Sequence, residues 1–478
     1  FVCFVLTCQL FILTTWAKPD WPSDTGIMAE AGIVMDMDSG AILYGQNIHL
    51  TYPPASITKI LTALIVLENC NLDDTVTFST TAVNQVEADS GNKISVVAGD
   101  QLSVEDCLYS MLLVSCNQAA NALAEHTAGS ISAFVDMMNE KLAELGCQES
   151  HFENPSGLNG DNQYVSAYDM ALIAQAAYDN ETLVEISSAT THRIAPTTQN
   201  PDGFTIRGEH RLCVTEDPSS PYYYPEAIAG KTGYLIKAGN TLVTYAVKDN
   251  RRLVSVILKG QPRQYFVDGK ALLEFGFRSF QHYTVADYES RYVTGNETIN
   301  LDKGSFQASD LMIDPDSVIT LPNSASFEDA DITLGALPEI SPDNAVALLT
   351  YSYNDRTIGT AYLLAKDGVT IDGNDSAAEA ATTAFDTANA EAPLATASNA
   401  EKPQRPHKHI SVAGVLITIL IVLLVLGVIG LISWFIYSKK KEAKALAKRR
   451  ERRRQRLQRS GEEEEFERLL AEYKNKKK

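Results

Sequence analysis

The 478-residue chain has no surplus of positive charge, no zinc-ligand spacing and no internal repeat. Its 40 Lys and Arg are outnumbered by 60 Asp and Glu, a net of −20, which argues against nucleic acid as a partner. The seven cysteines include no C-x-x-C pair, no H-E-x-x-H occurs, and the eight histidines are scattered. No metal site is therefore written in the sequence. With 45% apolar and 21% charged residues, the chain is neither disordered nor collagenous. Its length suits two domains plus extra segments at ~100–200 residues each.

What charge there is lies unevenly. Residues 438–478 hold 17 Lys and Arg against 8 Asp and Glu, a net of +9, which leaves −29 on residues 1–437. A basic tail beside an apolar run points to a lipid bilayer. Residues 1–13 form an apolar run of signal-peptide length, and Thr15 and Ala17 put small residues where a signal peptidase reads. No Met or basic region precedes it, so the sequence is expected to start inside the signal. Residues 412–436 are 25 residues without a charge, more than the ~20 that span a bilayer. Trp434 and Tyr437 sit at the interface, and Lys439-Lys440-Lys441 follows as a stop. The tail is expected inside and the body outside. Cys3 and Cys8 fall in the signal; the other five, an odd number, read as buried small hydrophobes rather than a disulfide framework.

The expected organisation is a signal peptide at 1–17, a catalytic domain at 18–280 and a small all-β domain at 281–365. A low-complexity stalk (366–409), a transmembrane helix (410–437) and a basic cytoplasmic tail (438–478) follow. Within the catalytic region, residues 32–36 and 41–44 flank Asp38-Ser39-Gly40 as a hairpin. Residues 241–247 and 252–258 form a second, and residues 56–69 carry apolar positions at helical spacing. Ser103-Val104-Glu105-Asp106 reads as a capping box opening a helix to Leu113, and residues 167–178 form another amphipathic helix. Strands at both ends with helices between predict an α+β fold, one antiparallel sheet with helical layers.

Three short motifs occur in order: Ser56-Ile57-Thr58-Lys59, Ser115-Cys116-Asn117 and Lys231-Thr232-Gly233. A serine hydroxyl needs a base within hydrogen-bond reach to act as a nucleophile. On a helix, i and i+3 share a face, so Lys59 can sit beneath Ser56 Oγ. Pro53-Pro54 places Ser56 at a helix N-terminus, where backbone N–H groups favour a developing oxyanion. Lysine titrates near 10.4 and becomes a base only if burial or a second cation, which Lys231 can supply, lowers that value. Taken alone, each motif also fits plain structure: a capped helix with a solvated lysine, a polar junction, a turn before a strand. Burying Ser115 and Asn117 unpaired between apolar neighbours would cost ~1–3 kcal/mol each, and a polar cleft shared with Ser56 removes that cost.

This set resembles the signature of the penicillin-recognising serine enzymes. With residues 31–36, 39–44, 152–158 (Phe-Glu-Asn-Pro-Ser-Gly-Leu), 167–171, 229–234 and 271–277, the chain resembles the low-molecular-mass penicillin-binding proteins that are D-alanyl-D-alanine carboxypeptidases, over roughly residues 28–365. The resemblance implies a penicillin-binding/β-lactamase-like transpeptidase fold. It also implies a serine peptidase that removes the terminal D-alanine from a peptidoglycan stem peptide through an acyl-enzyme on Ser56. Lys59 would take the proton, Ser115 would relay one to the leaving amine and Asn117 would hold the substrate amide. Lys231 and Thr232 would bind the terminal carboxylate, and Gly233 would let the substrate backbone approach. The N–H groups of Ser56 and Tyr234 would form the oxyanion hole, and Arg263 resembles a second carboxylate-orienting arginine. No cofactor is implied, β-lactam antibiotics would acylate Ser56, and the location would be a bacterial cell membrane, single-pass, with the catalytic domain extracellular.

Some residues depart from the family pattern. Cys116 stands where a small residue is usual. Residues 163–166 match only in part, and residues 208–212 replace an Asn-rich loop, so Arg211 has no assigned role. A full membrane span replaces an amphipathic anchor. The alternatives are an endopeptidase cutting D-Ala cross-links, a non-catalytic cell-wall scaffold and a class A β-lactamase. The last needs Glu-x-x-Leu-Asn, whereas Leu158-Asn159 has Pro155 in the Glu position.

Overall fold

A computed structural model describes residues 18–87, 90–338 and 340–371. The expected signal peptide, most of the stalk, the transmembrane helix and the tail lie outside the described residues. Among the described residues, no helix is long and apolar enough to cross a membrane.

The first strands are β1 (Ala31–Asp36) and β2 (Ile42–Gln46), and their partners arrive about 200 residues later as β3 (Ala227–Leu235), β4 (Gly239–Lys248) and β5 (Arg251–Gly260). They form one antiparallel sheet in the order β2-β1-β5-β4-β3, so β3, which carries Lys231-Thr232-Gly233, is an edge strand. Every residue of β1 is buried, which requires cover on both faces. Successive side chains alternate between two cores: Ile33 and Met35 with Val254 and Val256 on one side, Val34 with Leu253 and Ile257 on the other. Between these strands come α1 (Lys59–Asn69), α2 (Val104–Leu113), α3 (Asn117–Ala128) and α4 (Ala167–Tyr178), and α5 (Gln264–Ser279) follows them. Helices α1 to α4 fill the first core and α5, through Leu272, Leu273 and Phe275, the second. The fold is the expected helix–sheet–helix arrangement.

Several local expectations hold. Helix α4 runs from Ala167 to Tyr178. The β4–β5 hairpin turns through Asp249 (φ 50°) and Asn250 (φ 63°), residue types that tolerate left-handed backbone. Helix α2 ends at Leu113, but its capping box is half formed. Ser103 Oγ accepts from Asp106 N at 3.0 Å, whereas the Asp106 carboxylate turns to His192 Nε2 (2.7 Å) and Ala195 N (3.1 Å). A tertiary partner outcompetes the local one.

Beyond α5, β6 (Phe280–Thr284) pairs with β8 (Val318–Pro322). A four-stranded antiparallel sheet is formed by β7 (Leu311–Ile313), β9 (Asp331–Gly335), β10 (Ala345–Tyr353) and β11 (Arg356–Ala365), in the order β7-β11-β10-β9. Asp36, fully buried at the end of β1, accepts from Arg251 (3.3 Å) and from His282 of β6 (2.6 Å). His282 and Arg251 together hold its carboxyl below the usual carboxylate range despite burial. The N-terminal segment adds a second tie: Tyr353 Oη donates to Pro19 O (2.7 Å), and Trp21 Nε1 donates to Leu43 O (2.9 Å).

Candidate active site

Pro54 precedes a single 3₁₀ turn, Ala55–Thr58, and α1 begins only at Lys59. Ser56 therefore stands one turn ahead of the expected α-helix. In a 3₁₀ turn, i and i+3 eclipse, which aligns Lys59 under Ser56 better than α geometry does. Lys59 Nζ lies 3.0 Å from Ser56 Oγ. It also donates to Asn117 Oδ1 at 2.7 Å and to the carbonyl of Ser156. Two carbonyl acceptors occupy two N–H groups of a neutral amine, which leaves its lone pair for the Ser56 hydroxyl proton.

Lys59 has no exposed surface. Burial, and then the nearby Lys231 cation, holds its pKa well below the usual lysine value. Lys231, at 1% exposure, is pushed down to about 8, by burial first; the Glu209 carboxylate opposes the shift and Lys93 adds to it. The two lysines are thus biased toward different protonation states near neutral pH, a base and a cation.

Ser115 and Asn117 come from the junction between α2 and α3. Ser115 has φ 63°, a left-handed conformation rare for a non-glycine residue, costing of order 1–3 kcal/mol. It turns the chain so that Asn117, the first residue of α3, meets Lys59. Cys116 is buried behind them; burial raises its thiol pKa to about 11, so the thiol is a packing group here. All five described cysteines are unpaired.

Gly233 also answers to a constraint of the fold itself. A Cβ built on it would lie 2.4 Å from Thr241 Oγ1 and 2.8 Å from Ser56 N. The backbone that approaches it is the protein's own: β3 docks onto the nucleophile's turn, and Thr241 Oγ1 fixes that turn by donating to Pro54 O at 2.9 Å. Gly157 does the same from below, with φ 80° and an ideal Cβ 1.9 Å from Ala55 O.

These residues open onto a cleft of about 870 Å³ lined by Ser56, Ser115, Asn117, Thr232, Gly233 and Tyr234. The buried Lys59 and Lys231 lie behind that lining, and Arg263 is absent from it as well. Arg263 is exposed and caps the N-terminus of α5 with φ 64°. Arg211 does line the cleft, its guanidinium 5.1 Å from the ring centre of Tyr222.

Sequence reasoning missed several wall residues: Glu87, Lys93, Leu158, Asn159, Glu209 and Tyr265. Asn154, within the family-matching stretch 152–158, has a role that its residue type alone does not announce. Asn154 Oδ1 accepts from Gly157 N (2.8 Å), Leu158 N (3.1 Å) and Ser156 Oγ (3.0 Å). That clamp aims the Ser156 carbonyl at Lys59, and an Asn three residues before a Gly was its turn signal.

A cleft-lining serine over a buried lysine, a strained Ser-x-Asn junction and an edge strand bearing Lys-Thr-Gly on one α+β sheet define the penicillin-binding-protein class of serine hydrolases. Residues 18–261 match the family model described as D-alanyl-D-alanine carboxypeptidase, and the chain belongs to that family. It is 35% identical over 265 residues to D-alanyl-D-alanine carboxypeptidase DacB2 of Mycobacterium tuberculosis (strain ATCC 25618 / H37Rv), covering 54% of this chain and 84% of that protein. It is 29% identical over 279 residues to DacF of Bacillus subtilis (strain 168), covering 57% and 68%. Penicillin binding protein 6B from Escherichia coli shares the fold, with a TM-score of 0.54 at 23% identity, over 73% of this chain and 98% of that one.

Proposed function

We propose that this serine-type D-Ala-D-Ala carboxypeptidase uses Ser56 as nucleophile and Lys59 as general base on a peptidoglycan stem peptide. The observation that carries the reading is the Lys59 amine, buried and lowered in pKa, 3.0 Å from Ser56 Oγ. Ser56 Oγ attacks the carbonyl between the two terminal D-alanines as its proton passes to Lys59 Nζ, a step typically worth ~10²–10⁴-fold. The oxyanion forms against the N–H groups of Ser56 and Tyr234, each such donor being worth roughly 2.7–4 kcal/mol. Ser115 passes a proton to the leaving amine, D-alanine departs, and water releases the shortened peptide from Ser56. Asn117 orients both Lys59 and the substrate amide, while Lys231 and Thr232 hold the terminal carboxylate. The enzyme binds penicillin, because a β-lactam mimics the D-Ala-D-Ala end and acylates the same serine.

The rest of the chain follows from sequence. A small all-β domain (281–365) and a stalk (366–409) carry the catalytic domain (18–280) outside a bacterial cell membrane. A single span (410–437) crosses the bilayer and a basic tail (438–478) lies inside. The 25 uncharged residues and the +9 tail support this arrangement.

Intact-mass spectrometry of the full chain in detergent with benzylpenicillin, beside Ser56→Ala, tests the site. A persistent adduct of the whole drug, absent in Ser56→Ala, is expected. Drug consumed without an adduct would mean a β-lactamase, and drug neither bound nor consumed would mean a scaffold.

A further inference from the structure

The cleft has two unlike ends. Strand β3 runs along it from Thr232, next to the buried Lys231, through Gly233, which touches the Ser56 turn, to Leu235, with Ile236 just beyond the strand; at ~3.3 Å per residue, Leu235 lies on the order of 13 Å from Lys231. Toward Tyr234 and Ile236 the cleft is open, with those side chains 63% and 88% exposed. A substrate whose carboxylate meets Lys231 and whose scissile carbonyl meets Ser56 places its acyl part toward this open end and its leaving group toward the other.

The other end is crossed by an ion pair. Lys93 Nζ lies 3.2 Å from Glu209 Oε1, and both residues line the cleft. Each is tethered to the catalytic framework. Glu209 N donates to Leu113 O at 3.1 Å, two residues before Ser115. The next residue, His210, packs so closely on Gly230, just before Lys231, that a Cβ there would lie 2.7 Å from His210 Nε2. The loop bearing Lys93 is held by Gln118, which follows Asn117 and donates through Nε2 to Gly91 O at 3.2 Å. The pair therefore joins the flank of Ser115 to the flank of Lys231, at the place where a leaving group must sit. Both side chains also act electrostatically on Lys231, which agrees with that placement.

We propose that the Lys93–Glu209 pair closes the leaving-group end of the cleft and restricts the leaving group to a single free amino acid, so that the enzyme trims linear stem peptides and spares cross-linked ones. A cross-link offers Ser56 a similar scissile bond, but its leaving amine continues into a second peptide that has to pass this strap. The inference rests on the carboxypeptidase reading above. An exposed ion pair resists opening by only up to roughly fivefold, so charge and side-chain bulk act together.

The test uses the full chain in detergent with two substrates, a pentapeptide muropeptide monomer and a D-Ala-cross-linked dimer. Rates are normalised to the sites titrated by benzylpenicillin. Wild type is expected to release D-alanine from the monomer and leave the dimer essentially intact. The double variant Lys93→Ala/Glu209→Ala is expected to raise the dimer-to-monomer ratio of kcat/KM at least fivefold, and the exchanged pair Lys93→Glu/Glu209→Lys to return it toward wild type. Raising ionic strength should increase the ratio in wild type and not in the double alanine variant, a readout that survives even if one variant fails to fold. Comparable cleavage of both substrates by wild type, or a ratio unmoved by the double variant and by salt, would overturn the proposal. Wild type that releases no D-alanine from the monomer would overturn the carboxypeptidase reading beneath it.

Discussion

Replacing Lys231 by Met removes one charge and should change the enzyme in three separable ways. The first is affinity. A charge-assisted hydrogen bond to a carboxylate contributes about 1.5–3 kcal/mol, so kcat/KM on a D-Ala-D-Ala peptide should fall roughly 10- to 150-fold. The second concerns the base. The Lys231 cation is the second cause, after burial, of the lowered pKa of Lys59. Without it Lys59 stays depressed by burial but titrates higher, so the rising acid limb of the pH profile moves to higher pH. The third concerns the alkaline limb. Activity needs Lys59 neutral and Lys231 charged, so in wild type kcat/KM rises as Lys59 loses its proton and falls as Lys231 loses its own near pH 8. In Lys231→Met that fall near 8 should vanish. The assay is D-alanine release from a diacetyl-Lys-D-Ala-D-Ala tripeptide between pH 5 and 10, with kcat/KM reporting the free enzyme. An alkaline limb that persists near 8 in the variant, or an acid limb that stays where it was, would refute the assignment of base and cation.

Three other perturbations have definite outcomes. Gly233→Ala puts a Cβ 2.8 Å from Ser56 N and must push β3 off the nucleophile's turn. Stopped-flow acylation by benzylpenicillin should slow at least about tenfold, in line with the sensitivity of near-attack geometry to small displacements. His210 is buried and its pKa is lowered to about 4, so below pH 6.5 the unfolded chain takes up a proton that the folded chain refuses. That contribution to stability is complete above pH 6.5 and falls by about 2 kcal/mol by pH 5. By urea unfolding, wild type should lose about 2 kcal/mol more unfolding free energy than His210→Gln between neutral pH and pH 5. Asn154→Ala removes the acceptor shared by Ser156, Gly157 and Leu158; thermal unfolding should show a loss of about 1–3 kcal/mol, with slower acylation as the Ser156 carbonyl drifts from Lys59.

The parts of this molecule that were legible in the sequence are those encoded locally. Helix α4 and the β4–β5 hairpin announce themselves by period and by an Asp-Asn turn; the helix keeps its expected bounds, and the two strands run one or two residues longer at each end. The three motifs were legible because Ser56 and Lys59 carry their chemistry in residue type and spacing, even though the turn between them is 3₁₀ rather than α. What stayed hidden depends on contacts between distant segments. Asp106 abandons its cap for His192, 86 residues away. Gly233 is required by Ser56, and the Lys93–Glu209 pair joins loops 116 residues apart. Arg263 looked suited to a carboxylate from its place in the sequence, but it falls at the N-terminus of α5, exposed and off the cleft lining.

In the proposed mechanism Ser56, activated by Lys59, cuts the bond before a terminal D-alanine. The most direct test is D-alanine released by the full chain from a purified pentapeptide muropeptide, measured beside Ser56→Ala and Lys59→Met. Stoichiometric conversion of pentapeptide to tetrapeptide plus D-alanine by wild type, with at least about a thousandfold loss in both variants, is the predicted result. D-alanine release that survives in Ser56→Ala, or its absence in a wild-type protein that still binds penicillin, would contradict the account.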